Sequence, residues 1–314
     1  MMDFSVVIPI YNGAKRLPGV LEKLRSQTGT EEIQWEILVV DNNSSDETAK
    51  VVRELQSTWN LQVPLKYVFE RRQGLTFART RGIEETEGQF VAFLDDDNLP
   101  NSDWVLQAYL FGNQYPKAGI YGGQIHALYQ TEPPENFKRI EHLVLAIRES
   151  GEQAFQFNPE LLQLPSGAGL VLRRKALLES SNPECIAAVS RGDNDYELSL
   201  YLYQNGWEIW YNPAMHLNHL IPPERLEKSY LLSLAYRYGL YTFGCRVILA
   251  KTWGQKFLLF FRVMFGGLKR VILHFAKYKK QVQSDLVNAC ELNFFWASAI
   301  SPIYYYINKI SFQK

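Results

Sequence analysis

The first 100 residues alternate regularly between strand and helix patterns, and this alternation constrains the fold more than any other feature of the sequence. Short β-rich apolar runs predict four buried strands, at Phe4–Ile10, Trp35–Val40, Leu65–Phe69 and Phe90–Leu94. Between these runs apolar residues recur at helical spacing, and the connections are short. This order predicts a parallel sheet with crossover helices. Because ligands bind beyond the carboxyl ends of the strands in such sheets, the residues after each strand become the candidate functional residues.

The second part of the chain is less regular. Residues 116–165 show no clear period, and further strand and helix patterns follow at Ala168–Leu172, Tyr196–Gln204 and Trp207–Tyr211. The segment His216–Pro223 is predicted as a loop, after which the chain is helical and basic. We therefore predict an α/β catalytic domain in residues 1–225 and a helical, basic region in residues 226–314.

A net charge of zero conceals an uneven distribution of charge. Residues 251–314 contain ten Lys and Arg and two Asp and Glu, whereas the first 250 residues contain 23 basic and 31 acidic side chains. A basic tail predicts contact with the anionic head groups of a membrane, and the acidic body argues against a nucleic-acid partner. The three cysteines, Cys185, Cys245 and Cys290, form no CxxC pair. The amino terminus shows no signal-peptide pattern. Together these observations predict a cytoplasmic location.

The tail also contains an amphipathic helix pattern. Six basic residues fall within roughly 140° of helical arc, namely Lys256, Arg262, Lys269, Arg270, Lys277 and Lys280. The opposite face is apolar and comprises Phe261, Met264, Phe265, Leu268 and Phe275. This pattern predicts an interfacial helix on the cytoplasmic face of a membrane, although packing on the catalytic domain or on a second copy remains an alternative. The uncharged stretch Leu292–Asn308 is interrupted by Pro302 and several polar residues, so it is predicted to be a poor transmembrane span that could dip into a bilayer.

Three adjacent carboxylates, Asp95, Asp96 and Asp97, directly follow the strand Phe90–Leu94. Like charges at this spacing repel one another, and a hard divalent cation relieves the repulsion. Mg²⁺ and Mn²⁺ prefer oxygen ligands, commonly one or two carboxylates together with substrate phosphate oxygens. A solvated acidic turn is the alternative, but the position at the end of a strand favours a metal site.

Two further polar elements follow predicted strands. Asp41 comes after Trp35–Val40 and is placed to accept hydrogen bonds from a base or ribose, while Ser44 and Glu47 stand at capping-box spacing for the next helix. Gly74 precedes a predicted helix start, where phosphate binds favourably. The nearby Arg72 and Arg79 are candidates to pair with a diphosphate; the alternative is that they are solvated surface residues.

Four segments carry a family resemblance when read in order: SVVIPIYNGAKRL, EILVVDNNSSDET, GLTFARTRG and FVAFLDDDNLP. Over residues 4–220 the chain resembles the family 2 glycosyltransferases of the GT-A fold. The resemblance implies a Rossmann-like, mixed but mostly parallel sheet flanked by helices, with a helical C-terminal extension. The runs at 95–100, 133–139 and 206–213 are similar to glycosyltransferases of hormogonium polysaccharide biosynthesis.

The resemblance also implies residue roles. Nucleotide-sugar binding would fall to Pro9, Tyr11, Asn12, Asp41, Arg72, Gly74, Arg79, Asp95 and Asp96. The metal ligands would be Asp97, Asp95 and His219, with His219 preferred over His216. Asp195 would be the general base, with an N-cap as the alternative role and Asp193 and Glu197 as competing acids. The acceptor side would include Ser166, Gly167 and Asn194, where Asn194 replaces the family's usual Glu.

The implied function is that of an inverting, metal-dependent glycosyltransferase that uses Mn²⁺ or Mg²⁺. Its donor would be a nucleotide-diphosphate sugar, with UDP the expected nucleotide, and its acceptor a saccharide or a lipid-linked saccharide in exopolysaccharide or cell-surface glycan synthesis. A nucleotidyltransferase is one alternative, yet it usually carries a Gly-rich loop after the first strand, where Tyr11–Arg16 has a single Gly. A non-catalytic nucleotide-sugar-binding protein is the other.

Overall fold

A computed structural model describes residues 2–59, 62–179, 195–279 and 281–311 of the 314-residue chain. The chain divides into two compact units. The first consists of Met1–Leu128 and Arg148–Leu220, and the second of Tyr129–Ile147 and Ile221–Lys314. Along the sequence, the segment Tyr129–Ile147 of the second unit therefore lies between the two parts of the first unit.

The first half of the first unit is a parallel sheet, as its sequence predicts. The strands are β1 (Phe4–Ile10), β2 (Trp35–Asp41), β3 (Leu65–Phe69) and β4 (Phe90–Phe93). The connecting helices are α1 (Leu17–Arg25), α2 (Thr48–Ser57) and α3 (Leu75–Glu84). β1 pairs in parallel with β2 and with β4, and β2 pairs in parallel with β3. Every residue of β1 and β2 is buried, as is typical of central strands in sheets covered on both faces.

The second half of the sheet is antiparallel. It adds β5 (Asn98–Pro100), β6 (Ala118–Tyr129), β7 (Phe155–Gln156), β8 (Leu170–Arg173) and β9 (Glu208–Ile221). The helices of this part are α4 (Trp104–Gln114), α6 (Arg174–Leu178) and α7 (Asp195–Gln204), whereas α5 (Glu141–Val144) belongs to the second unit. The strand order is β3-β2-β1-β4-β8-β6-β9-β5, with β7 on β9. The whole is a mixed sheet whose antiparallel part follows the last parallel strand, β4.

The prediction of a loop at His216–Pro223 is wrong, because β9 runs through to Ile221. Its buried side chains alternate along the strand, at Met215, Leu217, His219 and Ile221. This is the period of two that a half-buried strand shows. The alternation includes a buried histidine, so a reading by apolar residues alone misses it.

The strand β6 is also absent from the sequence prediction, because its adjacent glycines Gly122 and Gly123 weaken a strand pattern. The structure shows why glycine stands there. A Cβ on Gly123 would lie well inside van der Waals contact of the Met215 carbonyl oxygen on β9, and one on Gly122 would lie 3.0 Å from the Pro165 Cβ. Close approach of neighbouring backbone therefore selects glycine at these positions.

Gly123→Ala is expected to destabilise the protein by about 1–3 kcal/mol, because backbone atoms of β9 have no room to move away from the new methyl group. Gly266→Ala is the control, since a Cβ there meets nothing within 4 Å and helix propensity predicts a gain of up to about 1 kcal/mol. Denaturant unfolding monitored by circular dichroism measures both. Equal stability of the Gly123 variant and the wild type would contradict this packing.

The second unit is helical after the end of β9. Its main helices are α8 (Lys228–Ile248), α9 (Trp253–Tyr278), α10 (Gln281–Ser284) and α11 (Leu286–Ser311). Helix α11 continues through Pro302. A proline leaves the carbonyl four residues earlier without its backbone donor, and here the Ser301 hydroxyl donates to the Ser298 carbonyl oxygen at 2.7 Å. Within the described ranges, no helix has the length and apolar character required to cross a membrane.

The inserted segment Tyr129–Ile147 is bound to the helices of its unit by Arg139. Its guanidinium donates to the Asn288 side chain at 3.1 Å and to the Tyr278 hydroxyl at 3.0 Å, and it pairs with the Glu291 carboxylate. The charge-assisted contacts anchor the segment at a partly buried position.

Candidate active site

The polar residues that follow β1, β2 and β4 lie at one edge of the sheet, as the sequence predicts. Ile10 is in register with Asp41 across the parallel pair β1–β2. The backbone N–H of Leu94, which follows β4, donates to the Val7 carbonyl oxygen of β1 at 3.0 Å. Asn12, Asp41 and Asp95 thus come from neighbouring strand ends, although they are far apart in the sequence.

The loop after β1 is bound by the loop after β2. The Asn12 backbone N–H donates to the Ser44 hydroxyl at 3.0 Å, and the Asn12 side-chain oxygen accepts from the Ser45 N–H at 2.8 Å. The predicted capping box is wrong, because α2 has Glu47 as its N-cap with no side-chain capping hydrogen bond. Ser44 instead holds Asn12 in its left-handed conformation, with φ of 50°. Asn is one of the residues that tolerate that conformation.

Asp41 is buried and both its carboxylate oxygens accept hydrogen bonds. Oδ1 accepts from the Ser44 N–H at 2.9 Å, and Oδ2 accepts from the Tyr67 hydroxyl at 2.8 Å. Burial, together with this hydrogen bond, raises the pKa of Tyr67 to about 12, so the hydroxyl remains a donor at neutral pH. Tyr11 is half exposed just beyond the end of β1. Asp41 is consequently oriented by the protein, and Tyr67 is a site residue that the sequence pattern did not single out.

Tyr67→Phe is expected to weaken binding of UDP about 10-fold or more, because loss of one hydrogen bond to a charged group costs about 1.5–3 kcal/mol. The phenyl ring preserves the packing while the orientation of Asp41 relaxes. Isothermal titration calorimetry measures the change, with the exposed Tyr230→Phe as control. An unchanged dissociation constant in the Tyr67 variant would exclude a role for this hydrogen bond in nucleotide binding.

The loop before α3 is bound by Asn42, another residue absent from the sequence prediction. Its side-chain N–H donates to the Arg72 carbonyl oxygen at 2.6 Å, and its side-chain oxygen accepts from the Gly74 N–H at 2.7 Å. Gly74 is the N-cap of α3 with φ of 139°, a backbone conformation that favours glycine. The Arg72 guanidinium donates through Nε and Nη2 to the Glu70 carboxylate, at 2.9 and 3.1 Å. This pairing lowers the pKa of Glu70.

The three adjacent carboxylates point to three different partners. Asp95 lies 3.9 Å from the buried Arg79 guanidinium, and Asp96 forms an ion pair with Arg16 at 2.6 Å. Asp97 lies beside His219, at 3.6 Å from Oδ2 to Nε2. Positive charge from Arg79 and Arg16 offsets part of the mutual repulsion of Asp95 and Asp96 that the sequence implies.

Arg16 is a further candidate that the sequence pattern did not reveal. It lies beyond the loop that follows β1, and its neighbour Gly13 leaves room for the Asp96 carboxylate, which a Cβ at that position would meet. Burial raises the pKa of Asp96, and the hydrogen bond from Arg16 opposes part of this rise. Burial likewise lowers the pKa of Arg79, an effect that the Asp95 carboxylate opposes. Both ion pairs couple an acid that follows β4 to a basic residue of another element, since Arg16 is the N-cap of α1 and Arg79 lies in α3.

Asp97 and His219 are the residues of the predicted metal set that the structure brings closest together. They are 4% and 5% exposed, and β5 pairs Asn98 with His219 across the sheet. The Asn98 side chain donates to Asp97 Oδ1 at 2.9 Å. A carboxylate and an imidazole suit Mn²⁺, with substrate phosphate oxygens as further ligands. Within the described residues no group of three or more His, Cys, Asp or Glu forms a metal cluster, so Asp97 and His219 offer two ligands and a cation here would need others.

His216 belongs to a different cluster. Its Nδ1 lies 2.9 Å from His126 Nε2 on β6, and His126 Nδ1 lies 2.8 Å from Glu149. His216 Nε2 faces the Gln124 side chain at 3.5 Å. The two histidines of β9 are three residues apart, so they project from opposite faces of the strand, and only His219 faces Asp97.

The structure describes only some of the residues predicted for the acceptor side. Ser166 is buried before β8, and Gly122 of β6 packs against the Pro165–Ser166 backbone. The Gly167 carbonyl oxygen accepts from the Leu170 N–H at 3.3 Å. Asn194 lies outside the described residues. Asp195 is the first residue of α7, and its side chain lies outside the described part of the structure.

The sheet order, parallel strands followed by antiparallel ones, together with acidic residues at the carboxyl ends, defines a GT-A glycosyltransferase fold. The chain belongs to glycosyl transferase family 2, whose family model matches residues 5–179. *Staphylococcus aureus* TarS 1-349 has the same fold, with a TM-score of 0.53, 15% identity and coverage of 95% of this chain and 91% of TarS 1-349. Mannosyltransferase PcManGT from *Pyrobaculum calidifontis* has a TM-score of 0.61 at 16% identity, covering 96% and 87% of the two chains.

The matches to curated relatives cover only part of each relative's length. Glycosyltransferase AglE of *Haloferax volcanii* is 37% identical over 102 residues, which are 32% of each chain. The *Methanococcus voltae* relative, a dolichyl N-acetyl-alpha-D-glucosaminyl phosphate 3-beta-D-2,3-diacetamido-2,3-dideoxy-beta-D-glucuronosyltransferase, is 26% identical over 220 residues, covering 68% of this chain and 65% of the relative. The chain thus spans about a third of AglE and about two thirds of the *M. voltae* protein.

Proposed function

We propose that the protein transfers a sugar from a nucleotide-diphosphate-sugar donor to a hydroxyl of a saccharide or lipid-linked saccharide, with inversion at the anomeric carbon. The observation that carries this proposal is the buried pair of Asp97 and His219 beside two further carboxylates, at the edge of the sheet where Asp41 also lies. A nucleotide and its diphosphate bind at this edge in open α/β sheets. Family membership supports the same reaction class.

The donor is proposed to lie along the strand ends, in the order of the parallel sheet. Tyr11, Asn12 and Asp41 contact the nucleoside, and Arg79 and Arg16 contribute positive charge near the diphosphate. Relatives of the fold support this class of ligand, since TarS 1-349 has been solved with UDP and with UDP-GlcNAc, and PcManGT with GDP-Man and Mn²⁺. UDP is the nucleotide that we propose for this chain.

Asp97 and His219 are proposed to hold a divalent cation, Mn²⁺ or Mg²⁺, with Asp95 adjacent. When bound, such a cation supplies positive charge that stabilises the departing nucleoside diphosphate. The burial of both side chains favours this role, because electrostatic interactions are stronger where water is excluded. Asp96, paired with Arg16, serves to position the loop after β1 against the donor.

Asp195 is proposed as the general base. Its carboxylate accepts the proton of the acceptor hydroxyl while that oxygen forms a bond to the anomeric carbon. The bond from the anomeric carbon to the diphosphate oxygen breaks, and its electron pair leaves with the nucleoside diphosphate. Attack from the face opposite the leaving group inverts the configuration. Ser166, Gly167 and Asn194 are proposed to line the acceptor side.

The biological setting is proposed to be exopolysaccharide or cell-surface glycan synthesis at the cytoplasmic face of a membrane. The basic composition of residues 251–314 supports a peripheral location. The resemblance of the runs at 95–100, 133–139 and 206–213 to hormogonium polysaccharide glycosyltransferases is the basis for the proposed polysaccharide role.

A donor panel tests the proposed reaction. The full chain is incubated with UDP-sugars and GDP-sugars, with Mn²⁺ or with EDTA, and released nucleoside diphosphate is measured by mass spectrometry. We expect turnover of at least one donor that EDTA stops. Release of pyrophosphate from a nucleoside triphosphate and a sugar phosphate would instead identify a nucleotidyltransferase, and donor binding without any turnover would identify a non-catalytic binding protein.

A further inference from the structure

Helix α9 carries a continuous ladder of aromatic rings on its exposed face. The rings of Trp253 and Phe257 stack at 5.5 Å between centroids, Phe257 and Phe261 contact edge-on at 5.0 Å, and Phe261 and Phe265 stack at 6.0 Å. Trp253 is 78% exposed and Phe265 is 59% exposed. Further along the helix Ile272 is also exposed. We call Trp253, Phe257, Phe261 and Phe265 the aromatic ladder. So large a contiguous apolar surface is unusual on a soluble protein and marks an interaction site.

The orientation of this helix is determined by its buried side. Val263, Gly267 and His274 are buried, and a Cβ on Gly267 would lie 2.6 Å from the Ala299 Cα of α11. The His274 Nε2 lies 2.9 Å from the Asn288 carbonyl oxygen. Close packing of α9 on α11 therefore leaves the aromatic ladder on the outside, and a rotation of the helix would expose polar backbone and a buried histidine.

Positive charge borders the aromatic ladder. Arg262 and Lys269 are exposed on α9, and Arg270 also comes from its basic side. Arg246 of α8 lies near Arg262 and Arg270, and its pKa is lowered first by burial and then by the positive charges of these two arginines. Helix α9 contains no acidic residue and five basic ones, which are Lys256, Arg262, Lys269, Arg270 and Lys277. A cluster of like charges beside an apolar face favours an anionic partner.

We propose that the aromatic ladder and its bordering arginines bind the surface of an anionic phospholipid bilayer, with α9 lying in the plane of the interface. The rings enter the boundary between head groups and acyl chains, and Arg262, Lys269 and Arg270 contact lipid phosphates. A second copy is a poor partner for this face, because it would bring two equally basic surfaces together. Among the described helices, α9 included, none combines the length and the apolar character needed to cross a membrane.

Vesicle flotation tests the proposal with the full chain and without any sugar donor. The vesicles are either phosphatidylcholine alone or phosphatidylcholine with phosphatidylglycerol. We expect binding only to the anionic vesicles, and loss of that binding when the salt concentration rises from about 0.1 M to about 1 M, which shortens the Debye length from about 10 Å to about 3 Å. The double variant Phe257→Gln and Phe265→Gln is expected to bind about tenfold or more weakly.

Matched variants make the test specific. Leu161→Gln with Leu178→Gln removes exposed apolar surface from the first unit and is expected to bind like the wild type. Arg262→Gln with Arg270→Gln is expected to lose the preference for anionic lipid. Circular dichroism confirms that each variant folds. Equal binding by the Phe257 and Phe265 variant, or a ladder-dependent dimer in sedimentation without vesicle binding, would overturn the proposal. Since no donor is present, neither outcome bears on glycosyl transfer.

Discussion

Asp97→Asn is expected to reduce metal-dependent sugar transfer about 10³-fold or more, because a Lewis-acid cation contributes several kcal/mol of charge stabilisation and each 1.36 kcal/mol corresponds to a factor of ten. The amide keeps the size of the side chain and its hydrogen bond with Asn98, but it removes the negative charge beside His219. Affinity for Mn²⁺, measured by electron paramagnetic resonance in the presence of UDP, is expected to fall in parallel.

Two controls accompany this variant. Glu54→Gln changes an exposed carboxylate on α2 and is expected to leave both activity and Mn²⁺ affinity unchanged. His219→Gln is expected to weaken Mn²⁺ binding more than donor binding, because its imidazole lies 3.6 Å from Asp97 and has no counterpart at the nucleoside end of the site. Full Mn²⁺ affinity in both the Asp97 and His219 variants would remove the proposed cation site.

Asp195→Asn is expected to lower kcat by about 10²–10⁴, the usual contribution of a general base, while UDP-sugar binds with unchanged affinity. The variant is expected to change kcat but not donor binding, because the base acts on the acceptor hydroxyl and contributes only in the transition state. Steady-state transfer to an added acceptor measures kcat, and calorimetry with UDP measures donor binding.

Glu197→Gln is the matched control for this second variant, since Glu197 is a neighbouring acid on the same helix, α7. It is expected to retain wild-type kcat. If Glu197→Gln lost turnover while Asp195→Asn kept it, the base would be Glu197 and the position derived from the family resemblance would be wrong. Wild-type turnover in both variants would exclude a base at the start of α7.

The parallel half of the fold is predictable because its information is local. Runs such as Phe4–Ile10 are nearly continuously apolar, with Ser5 the polar exception, and buried parallel strands have this character. The antiparallel half is less accessible to the same reading. Gly122 and Gly123 conceal β6, because their purpose is close approach to other segments, and the buried His219 interrupts the apolar alternation of β9.

The candidate site shows the same division. Asp41 and Asp95–Asp97 can be found from the sequence, since each follows a strand whose pattern is clear. Tyr67, Asn42 and Arg16 cannot, because their roles depend on which loops meet. No local pattern marks a tyrosine in the middle of β3 as the hydrogen-bond donor to Asp41.

By itself the sequence determined the positions of the parallel strands along the chain, the family resemblance, and the placing of acidic residues at one edge of a sheet. These properties follow from hydrophobic periodicity and from the residues next to each strand. Only the tertiary structure decided which partner each acid faces. Asp97 meets His219 because β5 pairs with β9, and Asp96 meets Arg16 because the loop after β1 approaches the end of β4. Pairing between distant strands depends on register and packing across the whole sheet, which a local pattern does not encode.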